Sequence, residues 1–170
     1  MLIRIVEKNN SMLIGILSNE FLICSMEIIK QLFDVASLFD RIDDLTIARE
    51  TFEKIAPIEL EYRGMNKENL DVILDDIYKT SELICTGLYT NDKSFEYQQL
   101  TKGIKRIQSL IISENYNHYS AIVNASKAAY LAVLLKKGIN EVKHYSPEID
   151  LRALKVEAPL HPAINKIKSF

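Results

Sequence analysis

Apolar positions change period once along this chain. Leu2 to Val6 and Met12 to Leu17 are short aliphatic or β-branched runs separated by "EKNNS", a pattern that predicts a small hairpin or a pair of edge strands, with Phe21 to Cys24 as a third. From Ser25 onward the spacing is helical. Ile28, Ile29, Leu32, Phe33, Val35, Ala36 and Phe39 recur at intervals of three and four, so they predict one broad buried stripe after a serine able to cap the first turn.

Asp43 or Asp44 is placed to cap a second helix carrying Leu45, Ala48, Phe52, Ile55 and Ala56, which Pro57 is expected to kink or end. After the stop at Gly64, Asn66 is expected to cap a third helix. It carries Leu70, Ile73, Leu74, Ile77, Ser81 and Ile84 inward and ends near Gly87. Ser94 opens a fourth, with Phe95, Leu100, Ile104, Ile107, Leu110 and Ile111 on one side. "SENYNH" then breaks the period before a fifth helix with Ile122, Val123, Ala125, Ala129, Tyr130, Val133 and Leu134, closed by Gly138. Pro147, Pro159 and Pro162 divide the tail into short pieces, with a last helical turn or two over 162–168.

The expected fold is therefore mainly α: a bundle of about five main helices over residues 25–170, with a small β element over 1–24, in a single compact domain. At 170 residues the chain buries enough apolar surface to need no disulfide or metal staple. Cys24 and Cys85 lie far apart without the spacing of a zinc site or redox pair, so both read as reduced core residues. There is no signal-peptide pattern and no stretch long enough to span a bilayer, so a cytoplasmic location without membrane contact is expected.

Net charge is only −2, but the halves differ in sign: residues 1–92 carry 9 Lys/Arg and 17 Asp/Glu, and residues 93–170 carry 12 and 6. Acidic and basic helices packed side by side account for this; the sharper alternative is an anionic ligand on the C-terminal half. Lys102, Lys105 and Arg106 share one helical face and are spaced to grip phosphates of a nucleotide or RNA. Tyr116, His118 and Tyr119 follow in a turn where rings could stack on bases or cover the bundle end.

Other chemistry is thinly supported. No GxxxxGK[ST], GxGxxG, GxSxG or HExxH occurs, and His118, His144 and His161 are too dispersed for a metal site. Asp75, Asp76 and Glu82 read as exposed acids rather than a metal-binding set, since adjacent helical residues diverge by about 100°. Lys30 and Asp34 stand at i and i+4 in an apolar run, where an exposed pair contributes only about 0.3–0.5 kcal/mol.

The segments "EIIKQLFDVASLFD", "ETFEKIAPIELEYRG" and "LDVILDDIYKTSELI", continued by "YQQLTKGIKRIQSLIISENY" and "IVNASKAAYLAVLL", resemble the C-terminal helical half of AbiEii-type nucleotidyltransferases, bacterial abortive-infection and toxin–antitoxin proteins. The resemblance spans about residues 25–150. It implies a polymerase-β-like enzyme dependent on Mg²⁺ and a nucleoside triphosphate, acting on RNA and opposed by an antitoxin. It also implies active-site roles for Lys30, at triphosphate oxygens, and Asp34, orienting that lysine or a reacting hydroxyl.

The upstream Gly-Ser and Asp-x-Asp elements of that family are absent, the nearest acidic spacing being Glu148 and Asp150 in the tail. Without an acidic pair for Mg²⁺, independent nucleotidyl transfer is not expected. The expected role is to bind nucleotide or RNA, or to complete a site with another chain. The alternative is a non-enzymatic interaction module that pairs with a protein partner or a second copy through its N-terminal strands.

Overall fold

The structure is a computed structural model and describes residues 21–62, 64–111, 115–146, 148 and 150. Five helices follow one another: α1 Phe21–Phe39, α2 Thr46–Tyr62, α3 Asp71–Thr90, α4 Phe95–Ile107 and α5 His118–Lys136. The mainly α bundle expected from the periodicity is what forms. Leu2–Val6, Met12–Leu17 and the 162–168 turn lie outside the described residues, while Phe21–Cys24, expected as a strand, is the first turn of α1.

The core is the union of the apolar stripes. Ile28, Ile29, Leu32, Val35, Ala36 and Phe39 of α1 are buried with Ile73, Leu74 and Ile84 of α3, Leu100, Ile104 and Ile107 of α4, and Ala121, Ile122, Ala125 and Ala128 of α5. Helix α1 is shared between two neighbours. Near its N-terminal end the Ser25 backbone lies against Gly103 of α4, and at its C-terminal end Phe39 meets the Tyr130 ring of α5 edge-to-face at 6.0 Å. Helices α3 and α5 run antiparallel, with Asp71 and Asp75 beside Lys136 at one end and Cys85 beside Ile122 at the other.

Ser25 is not a cap. Its side chain is buried, and its Oγ has no hydrogen-bond partner. A small residue is needed here because α4 comes so near that a Cβ built on Gly103 would lie 2.5 Å from the Ser25 carbonyl oxygen. Gly87 likewise does not end α3, which continues to Thr90 before Asn91 turns left-handed at φ 53°. Its missing side chain makes room for the Tyr97 ring.

Helix α2 continues through Pro57 to Tyr62. The ring removes one N–H, but the Glu53 side is exposed and open to water, while buried Phe52, Ala56 and Leu60 hold the following turn against the core. Asp44 lies one residue ahead of the cap position of α2 and forms a local turn instead, its Oδ1 accepting from the Thr46 N–H at 2.8 Å. Asn66 likewise accepts from the Glu68 N–H at 3.0 Å, in a turn ahead of α3, whose own cap residue Leu70 makes no side-chain bond. Ser94 and Asn117 cap α4 and α5, accepting from the Tyr97 N–H and from the Tyr119 and Ser120 N–H groups. Phe95, Leu110 and Val123, expected inward, are exposed.

Candidate phosphate-binding face

Helix α4 has its sides assigned by packing. Tyr97, Leu100, Gly103, Ile104 and Ile107 are buried against α1 and its neighbours, which leaves Lys102, Lys105 and Arg106 on the solvent side. Lys105 and Arg106 occupy the last turn, where cations also complement the unsatisfied carbonyl end of the helix.

Charge pairing separates these residues from Lys67, Lys127 and Lys136, though not from Lys30, Lys54, Lys79, Lys93 or Lys137, which also enter no ion pair among the described residues. Lys127 of α5 reaches Asp40 at 2.7 Å and lies 5.7 Å from the Phe39 ring centroid; Lys136 pairs with Asp75 and, at 3.7 Å, with Asp71; Lys67 pairs with Glu61 at 3.3 Å. The α5 pairs join the basic and acidic halves of the chain, as expected for oppositely charged helices packed together. Among the described residues, the side chains of Lys102, Lys105 and Arg106 enter no ion pair or hydrogen bond.

The aromatic residues that follow this helix in sequence do not form the stacking platform the sequence allowed. Tyr116 is only 1% exposed, its ring edge-to-face with Phe33 at 5.9 Å and its hydroxyl accepting from Asn124 Nδ2 at 3.4 Å. His118 is half-buried, with Nε2 3.0 Å from the Tyr97 hydroxyl, and burial holds its pKa below the ordinary imidazole value. Tyr119 alone of the three keeps an exposed ring.

Lys30 and Asp34 are both exposed on α1. Although one helical turn apart, they form no ion pair within 4 Å among the described residues. Cys85 is a buried free thiol whose pKa is raised by burial; its Sγ approaches the Ser126 hydroxyl at 3.4 Å. No group of three His, Cys, Asp or Glu among the described residues is placed to hold a metal ion. The described residues thus offer no such donor set for the Mg²⁺ that the resemblance implies. No described helix is long and apolar enough to cross a membrane.

No protein-family model, curated protein or solved structure matches the chain.

Arg49 was not singled out from the sequence, and Asp76 was expected to be exposed. Arg49 of α2 is half-buried and donates to Asn140 Oδ1 at 2.7 Å and to the carbonyls of Leu135, Ile139 and Leu134 at 2.7, 3.0 and 3.3 Å. Its signal was positional: Arg49 falls between Leu45 and Phe52 on the inward stripe of α2. Asp76 is half-buried rather than a solvated acid, and burial raises its carboxyl to about 6, opposed by nearby Lys79. Asp75 is the one tied to a cation.

Proposed function

We propose that the chain is a non-catalytic helical domain, akin to the helical half of AbiEii-type nucleotidyltransferases, that holds the phosphate backbone of RNA on α4. The observation that carries this reading is the contrast in charge use. Lys127 and Lys136 on α5 pair with aspartates, whereas Lys102, Lys105 and Arg106 stand exposed within one sector of α4 and form no ion pair among the described residues. Arginine and lysine in such a cluster bind phosphates by charge and release condensed counterions. One exposed ring, Tyr119, favours backbone contact over stacked-base recognition.

Fluorescence anisotropy with a labelled single-stranded RNA tests it. Three phosphate contacts correspond to a log–log salt slope of about −2 for a single strand. Lys105→Glu with Arg106→Glu is expected to weaken binding at least tenfold and to flatten that slope. An affinity indifferent to both salt and these substitutions would refute the reading. Parallel titration with a nucleoside triphosphate and Mg²⁺, comparing the parent with Lys30→Ala, determines whether Lys30 also contributes a phosphate contact.

A further inference from the structure

Helix α2 presents two different faces. Phe52, Ala56 and Leu60 are buried, and Arg49 turns inward to the end of α5. On the other side Ile47, Ile58 and Tyr62 are 79%, 63% and 85% exposed. At ~3.6 residues per turn, Ile47, Lys54 and Ile58 fall almost on one line opposite Phe52 and Ala56, with Glu50 and Tyr62 on its flanks. Ile47 and Ile58 stand 11 residues, ~16 Å, apart along that line, with Lys54 between them.

We propose that this face is the contact with a second copy of the chain, two α2 helices packing antiparallel about a two-fold axis. The order of residues makes the face self-complementary. With Ile47 of each copy opposite Ile58 of the other, the axis falls between residues 52 and 53. Glu50 of each copy then stands within one residue, ~1.5 Å along the axis, of level with Lys54 of the other. Two isoleucine pairs and two glutamate–lysine pairs are thus formed at once, as an isologous interface requires. A parallel arrangement would instead set Glu50 against Glu50 and Lys54 against Lys54. The cations of α4 take no part, so self-association and RNA binding are separable.

Sedimentation velocity of the full chain across a concentration series tests the proposal. The expected result is a shift from 19.5 kDa to twice that mass and no further. Ile58→Glu is expected to raise the dissociation constant at least tenfold with helicity unchanged by circular dichroism. Glu50→Lys is expected to weaken association, and adding Lys54→Glu in the same chain to restore it, a rescue that a folding defect would not produce. A monomer at every concentration, growth beyond two copies, a dimer insensitive to Ile58→Glu, or a charge swap without rescue would each overturn the assignment.

Discussion

Arg49 Nη1 donates to the Leu135 carbonyl oxygen at 2.7 Å, so a side chain from the second helix closes the C-terminal end of the fifth. Gly138, at φ 70°, already turns the chain there, with its N–H and that of Ile139 returning to the Leu135 and Leu134 carbonyls. Arg49 adds a positive charge where helix carbonyls converge and ties in Asn140. The same region is stitched by backbone bonds from Leu45 N–H to Asn140 O and from Val142 N–H to Asp43 O. Replacing Arg49 by Met is expected to destabilise the fold by about 2–3 kcal/mol, because several half-buried carbonyls lose a charged donor. Lysine should recover only part of this, since it lacks the planar fork. Equilibrium urea unfolding measures both, and an unchanged midpoint in the Met variant would contradict this account.

Gly103→Ala sets helix propensity against packing. Alanine is favoured over glycine inside a helix by about 1 kcal/mol. At this position its methyl group would sit 2.5 Å from Ser25 O and 2.7 Å from Ser25 C, backbone atoms that cannot move without shifting α1. Net destabilisation of about 1–3 kcal/mol is expected. Thermal unfolding showing a gain in stability would mean that the two helices separate readily.

Asp76 makes stability depend on pH in a defined direction. Its folded carboxyl titrates near 6 against 3.8 for the free side chain, so the folded state binds the extra proton. Its contribution therefore decreases stability as pH rises between about 4 and 6, and the cost is fully present above that window. Asp76→Asn should stabilise the protein by roughly 1–3 kcal/mol at pH 7 and change little at pH 3.5. Equal effects at both pH values would show that burial of the charge is not the cause.

Asn117 forms a capping box with Ser120: its Oδ1 accepts from the Tyr119 and Ser120 N–H groups at 2.8 and 3.3 Å, and Ser120 Oγ accepts from the Asn117 N–H at 3.4 Å. Asn117→Ala is expected to cost about 1 kcal/mol, with Asn117→Asp close to neutral or better because an anion suits this end of a helix. The ranking of unfolding midpoints checks it.

Lys30 and Asp34 share a turn of α1 without forming an ion pair within 4 Å, so they should behave as independent surface residues in the folded protein. A double-mutant cycle with Lys30→Ala and Asp34→Ala is expected to give additive changes in stability. A measurable coupling would show that they pair in solution.

Burial by periodicity was legible from the chain alone wherever the pattern was long. The α1 stripe from Ile28 to Phe39, the helical spacing through Ile73 and Ile84, and the cap at Ser94 follow from local rules, which depend only on residues within a turn or two. So do the exposed cations of α4, since Lys102, Lys105 and Arg106 lie across from an apolar stripe. The Asn117 cap, inside the "SENYNH" break, was not anticipated. Tertiary packing decided the rest. Gly87 and Gly103 resemble helix breakers locally, yet each admits a neighbour, the Tyr97 ring or the Ser25 backbone, that is distant in sequence. Tyr116 became core and Asp76 became half-buried because other helices closed over them. Arg49 found its carbonyls 85 to 90 positions further along the chain. Local sequence sets which side of a helix is apolar; only the assembled bundle sets what that side meets, because contact energies arise between segments that no short window contains.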